Sequence, residues 1–340
     1  MKFRNAVFAL ALLGITMSCS RDREDDNLPK TTNVYVAGYE YAGTISHAKF
    51  WKNGVVTSLP TTGKASVARA VFVLGNDVFI AGQEAVNLDT DADRQIKLWK
   101  NGVLAKTITD GTKHAVTRDL YVAGNDVYIT GIEFNGNKNV AKVWKNGAPT
   151  SLTDGAKEAM ANAISVSGND VYVAGSEFDG ASYILKLWKN GVAQNLTTGA
   201  KSAEVNALFV SNNDVYVVGE EMGTAKFWKN GVATIIAAKA KAKGIYISEN
   251  IVYVVFEEYN ATTKKWQGKL WKNGQVTNIT DGTKDCYLTG IRVDASDVYV
   301  IGSENNGTTE IAKVWKNGVA TSLTNGTQKA VALDIAIAKQ

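Results

Sequence analysis

One six-residue phrase occurs seven times in this chain: "KFWKNG" at 49 and 226, "KLWKNG" at 97, 186 and 269, and "KVWKNG" at 142 and 313. Its tryptophans, Trp51, Trp99, Trp144, Trp188, Trp228, Trp271 and Trp315, are seven of the eight in the sequence. They are spaced 48, 45, 44, 40, 43 and 44 residues apart, a period that signals a solenoid or a propeller. The fourth unit reads "ANAISVSGNDVYVAGSEFDGASYILKLWKNGVAQNLTTG", and its content is all strand. "AISVS" alternates and is β-branched, "GND" is a turn, and "VYVAGSE" is a second strand. A polar loop leads to "YILKLWK", then "NG" gives a strong two-residue hairpin signal before the short strand "VAQNLT".

The second-strand wording also recurs seven times, as "NVYVAG" at 33, "DVFIAG" at 77, "DVYITG" at 126, "DVYVAG" at 170, "DVYVVG" at 214, "IVYVVF" at 251 and "DVYVIG" at 297. Four short antiparallel strands per unit, repeated at this period, are what a β-propeller blade requires. Apolar residues on both phases of "VYVAG" mean that both faces are covered, which radial stacking of blades achieves. The ordered region opens at "NVYVAGYE", a second strand, and ends at "KAVALDIAIAKQ", which matches a first strand. The expectation is an all-β fold: a seven-bladed β-propeller of four-stranded antiparallel blades, with 3+1 closure of the ring by the C-terminal strand.

The N-terminal segment is set apart. "MKFRNAVFALALLGITMSCS" has two basic residues, then an apolar run from Ala6 to Met17. At about a dozen residues the run is a secretory leader and too short to span a bilayer. It resembles a bacterial lipoprotein signal, which implies cleavage before Cys19 and lipid on that cysteine. Thr16 departs from the leucine such signals prefer, and an ordinary secretory leader with an incidental cysteine is the alternative. "SRDREDDNLPK", residues 20–30, is charged, lacks aromatics and reads as a tether. The acidic run after the cysteine resembles the surface-export signal of Bacteroidota lipoproteins. The domains expected are thus 1–18 signal peptide, 19–30 lipidated cysteine and tether, and 31–340 propeller. The "VYVAG…KVWKNG" wording resembles a propeller family of Bacteroidota lipoproteins over nearly the whole mature chain. That resemblance implies a cell-envelope protein, anchored in the outer membrane and exposed on the surface. It supplies no catalytic residues.

Of the 37 basic and 33 acidic residues, Lys2 and Arg4 fall in the leader, leaving 35 against 33 in the mature chain. A nucleic-acid partner, which calls for a basic face, gains no support from that balance. With Cys19 lipidated, Cys286 stands alone in "DCYLTGI" and reads as a small buried residue.

The recurring residues read as structure. Seven equivalent tryptophans suit seven blade interfaces. So does the ring of Tyr35, Phe79, Tyr128, Tyr172, Tyr216, Tyr253 and Tyr299. Glu40, Glu84, Glu133, Glu177, Glu221, Glu258 and Glu304 close second strands, and Lys49, Lys97, Lys142, Lys186, Lys226, Lys269 and Lys313 open third strands. A lysine for every glutamate predicts cross-strand ion pairs. Asp110, Asp154, Asp281 and Asn325 in the "LTDG" and "LTNG" segments read as side-chain-capped turns, since a calcium loop spaces several oxygen ligands over about a dozen residues. Neither a metal nor a cofactor is expected.

The loops between second and third strands vary most: "EAVNLDTDADRQI" at 84–96, "EEYNATTKKWQG" at 257–268 and "EEMGTA" at 220–225. Within the innermost strand one position varies while its neighbours are copied. Around the ring it reads Arg69, Arg118, Asn162, Asn206, Lys243, Thr289 and Leu333, with Met160, Glu204, Lys241 and Tyr287 two places earlier in their units. These residues are expected at a channel mouth, where Arg69, Arg118 and Lys243 are placed to hold a carboxylate, sulfate or phosphate. Asn162 and Asn206 would bond neutral hydroxyls. The first functional expectation is a non-catalytic surface module that binds a glycan, a peptide or a partner envelope protein. The second is a polysaccharide lyase or glycoside hydrolase, which needs paired carboxylates. Asp89, Asp91, Asp93, Asp119 and Glu204 are the acids available, and His47 and His114 belong to different units. The third is a scaffold subunit of an envelope complex, for which an exposed apolar rim would speak.

Overall fold

A computed structural model describes residues 31–87, 93–199 and 203–340. The leader, Cys19, the tether, and the candidate acids Asp89 and Asp91 lie outside these. Thr32–Gln340 forms one compact unit. It consists of seven four-stranded antiparallel sheets, and no sheet contains a helix. In the third unit the strands run Ala115–Ala123, Asp126–Phe134, Asn139–Lys145 and Ala148–Ser151, in that spatial order from the centre outward. Asn146 and Gly147 of "KNG" adopt φ of 53° and 89° between the third and fourth strands, the doubly positive turn that suits the twist of a hairpin.

The innermost strands touch their neighbours in sequence around a circle. Ala330–Lys339, the last strand, meets Ser66–Leu74 of the second unit and completes it. The fold is a seven-bladed β-propeller. The expected 3+1 closure needs correction, however. Ala330–Lys339 pairs antiparallel with Thr32–Ala42 inside one open sheet, and no sheet is closed by hydrogen bonds, on itself or onto the next. Packed sheets lie about 10 Å apart face to face while ladder partners lie about 4.8 Å apart, so blades cannot share a backbone ladder. What joins them is side-chain packing and a few side-chain hydrogen bonds.

That contact is hydrophobic and repeats seven times. The cluster between units two and three brings Ala70, Ile96 and Leu98 against Leu120, Ile129 and Trp144. Each tryptophan thus faces the preceding blade. Six of them are 0–2% exposed, and Trp271 is half-buried. The exception has a local reason. Where six units place glycine in the second strand, the sixth has Phe256, itself buried and occupying space beneath the tryptophan. Trp271 instead leans on Phe227, ring centroids 5.4 Å apart.

Candidate functional site

Every innermost strand carries a β-bulge at the same place. In the second unit Ala68 pairs with Gly82 and Ala70 with Ala81, so Arg69 has no partner of its own. The skipped residues in the other units are Arg118, Asn162, Asn206, Lys243, Thr289 and Leu333. A bulge opposes two residues to one and re-aims a side chain. Here it turns all seven into a central cavity of about 770 Å³. The position that varies among copied units is therefore the bulge residue, and the seven line one cavity. Of the residues two places earlier, only Glu204 lines this cavity. The partner of the bulge is the glycine of "VYVAG" in six units and Phe256 in the sixth. A Cβ on Gly131 would stand 1.9 Å from the Val116 carbonyl oxygen, and one on Gly175 would stand 2.0 Å from that of Met160.

The seven divide by what they touch. Asn162 Nδ2 donates to Val205 O at 2.6 Å, Asn206 Nδ2 to Ala242 O at 2.9 Å and Thr289 Oγ1 to Ala332 O at 2.8 Å. Each acceptor is the residue just before the next blade's bulge. Short polar bulge residues thus fasten one blade to the next, and their donor groups are engaged. This changes the expected role of Asn162 and Asn206, whose amide N–H groups serve the backbone. The Asn162 Oδ1 is buried with no partner among the described residues.

The cations behave otherwise. Arg69, Arg118 and Lys243 form no ion pair among the described residues, and the Nε atoms of both arginines are buried without a hydrogen-bond partner. Burial, and then the charge of Arg118, bring the Arg69 guanidinium down to about 10. Burial also lowers Arg118, against the pull of Glu204. Two arginines on adjacent blades therefore share a desolvated wall, with Lys243 across the ring.

Next along the channel come residues that sequence reading missed, together with Asp119, which it counted only as an available acid. Directly after the bulge stand Ala163, Ala207, Gly244 and Gly290, with Asp119 and Asp334 in the same slot of units three and one. Asp119 accepts from the Ile164 and Leu120 N–H groups, and Asp334 from those of Val71 and Ile335. Burial, and then the neighbouring Asp334, push Asp119 up to about 7. Burial raises Asp334 as well, opposed by Arg292 at 3.6 Å. Two places further in are aromatic rings from four units, in the pairs Phe72–Tyr121 (4.8 Å) and Phe209–Tyr246 (4.9 Å). Beside Lys243, Glu257 is buried, accepts from the Leu288 N–H, and is raised to about 7 by burial. An aromatic three residues after the variable position, in four units of the seven, was the available signal.

The other recurring residues are engaged structurally. All seven glutamate–lysine pairs form. They range from 2.5 Å for Lys226–Glu221 and Lys269–Glu258 to 3.9 Å for Lys49–Glu40, and Lys313–Glu304 is the tightest. At the "KNG" rim Asp126 binds Lys145 and Asn146, and Lys145 lies 5.3 Å from the Tyr128 ring centre. Asp110, Asp154, Asp281 and Asn325 cap their turns by accepting from the backbone N–H two residues on. Asp93, His47 and His114 stand outside the cavity lining, and Cys286 is a buried free thiol. No helix among the described residues is long and apolar enough to cross a membrane.

Fold and site together define a seven-bladed β-propeller with a cation-lined channel mouth. No family of known sequences matches the chain, and no curated protein does. Among solved structures it is similar to a chain from a structural and mechanistic study of two prolyl endopeptidases. The TM-score is 0.53 and the identity 13%, over 92% of this chain and 51% of that one. The chain spans about half the length of that protein, and the likeness is one of fold.

Proposed function

We propose that this protein is a binding module that captures an acidic ligand at the mouth of its channel, without chemistry. Arg69 and Arg118 would hold the anionic group, and Lys243 would draw it from the opposite side. The observation that carries this reading is the pair of arginine Nε atoms, buried on adjacent blades with no partner among the described residues. Buried donors left unsatisfied are costly, and guanidinium groups are the side chains best shaped for carboxylate, sulfate and phosphate. At the same bulge position Asn162, Asn206 and Thr289 brace the ring, whereas the cations do not, so bracing does not account for them.

The enzymatic reading draws on Asp119 and Asp334, a carboxylate pair in a deep channel. Each oxygen of the pair already accepts a backbone N–H, which makes bracing the better account of them. The N-terminal features add a proposal about place. A lipid on Cys19 and the 19–30 tether would hold the propeller at the cell envelope, at the outer surface of a Bacteroidota outer membrane. The lipoprotein propeller family that the repeats resemble fits the same setting.

The test is titration calorimetry with uronic acids, sulfate, phosphate and acidic peptides, on the protein and on an Arg69→Ala/Arg118→Ala variant. An acidic ligand that binds the parent and is lost in the folded variant supports the reading. A folded parent that binds none of these overturns it and turns attention to envelope-protein partners.

A further inference from the structure

The channel changes character with depth, and the change has an order. Arg69 and Arg118 stand at the mouth. One residue inward come the carboxylates of Asp119 and Asp334, among alanines and glycines that leave the bore open. Two residues further stand the aromatic pairs, one from units two and three and the other from units five and six, on opposite sides of the ring. At about 3.4 Å of rise per residue, mouth and aromatics are separated by roughly 10 Å. A cavity of about 770 Å³ is of a size that encloses a small ligand.

Each layer restricts the ligand. The mouth asks for an anion. Each carboxylate oxygen of Asp119 and Asp334 accepts one backbone N–H and retains acceptor capacity, so the waist asks for hydroxyl donors and rejects an apolar tail. The four rings are half-buried and face the bore, so this layer, toward the opposite rim, asks for an apolar face. Within each pair the rings already touch, at tilts of 52° and 59°, and no flat base can slide between them. The C–H faces of a pyranose suit such walls, and its hydroxyls suit the waist.

We infer that the channel takes the acidic end of a short glycan, inserted end-on to a depth of about two sugar units. This rests on the anion-binding reading above and names the substrate class of that site. Arg69 and Arg118 hold the acidic group, Asp119 and Asp334 accept sugar hydroxyls, and Phe209 with Tyr246 covers the second ring.

The probes are uronate mono-, di- and trisaccharides of the galacturonic and glucuronic series, with AMP and inorganic phosphate alongside, measured by calorimetry. At least one disaccharide is expected to bind about tenfold tighter than its monosaccharide, with no comparable gain from the third unit. Phe209→Leu and Phe72→Leu, which keep an apolar side chain but remove a ring, should each cut disaccharide affinity severalfold. Circular dichroism verifies their folding. Equal affinity across the lengths, or AMP binding more tightly than any disaccharide, overturns the glycan inference and leaves the anion reading in place. Loss of every anion, phosphate included, overturns both.

Discussion

Replacing Gly131 by alanine puts the bulge to the test. The added Cβ would lie 1.9 Å from the Val116 carbonyl oxygen, 3.0 Å from its carbon and 3.3 Å from the Thr117 Cα. All three are backbone atoms, so no side chain can rotate aside. Relief needs the two strands to part by more than 1 Å, because real Cβ atoms do not approach such neighbours within 3.0 Å. Overpacking costs about 1–3 kcal/mol, and a clash with backbone belongs at the upper end. Alanine recovers about 0.4–1 kcal/mol by stiffening the unfolded chain, which leaves a net loss of about 2 kcal/mol. With an m-value of about 2–3 kcal/mol per molar, the urea midpoint followed by tryptophan fluorescence should fall by roughly 0.7–1 M. Arg118, the bulge residue opposite, should move with the strand and weaken anion capture. A midpoint shift under about 0.2 M would refute the claim that a side chain opposite this bulge costs stability. Phe256 shows what filling this place entails: the blade that tolerates it has a tryptophan less buried than the other six.

Three further outcomes follow from the buried charges. Asp119 and Glu257 keep their protons up to about 7, whereas the unfolded chain releases them near ordinary carboxylate values, so stability should fall as pH rises from about 4 to 7. Over the upper part of that range the channel gains negative charge, and acidic ligands should bind more weakly at pH 8 than at pH 6; flat profiles in both titrations would contradict this. Lys97 and Glu84 form the most buried ion pair among the described residues, at 7% and 1% side-chain exposure, so Lys97→Met should cost about 3 kcal/mol in urea melts. The longer and less buried Lys49–Glu40 pair, at 3.9 Å with 18% and 25% side-chain exposure, should lose under about 1 kcal/mol for Lys49→Met, and equal losses would show that burial does not set the difference. The Cys286 thiol, raised by burial, should resist a disulfide reagent in the native protein and react on unfolding, as mapped by peptide mass.

Repetition made much of this legible. A phrase copied seven times shows the blades, and its glutamates and lysines predict their own pairing because a hairpin places them on one face, diagonally two rungs apart. The variable position stood out because its neighbours were copied, and it proved to be the bulge. What stayed hidden depends on units far apart in sequence. Asp119 and Asp334 influence each other's charge across 215 positions, and the Asn162 donor finds its carbonyl in the next blade. Neither link leaves a periodic trace. The closure expectation went astray for a related reason: the register of the ends shows which sheet the last strand joins, and says nothing about how one sheet meets another.

The bulge has one more consequence. Because the skipped residue forms no rung of any ladder, its identity can change without disturbing the pairing that builds the blade. Duplicated units can then diverge at a single codon each, trading a brace such as asparagine for a charge such as arginine. A chain of this design can acquire a new ligand one blade at a time while its scaffold is inherited intact.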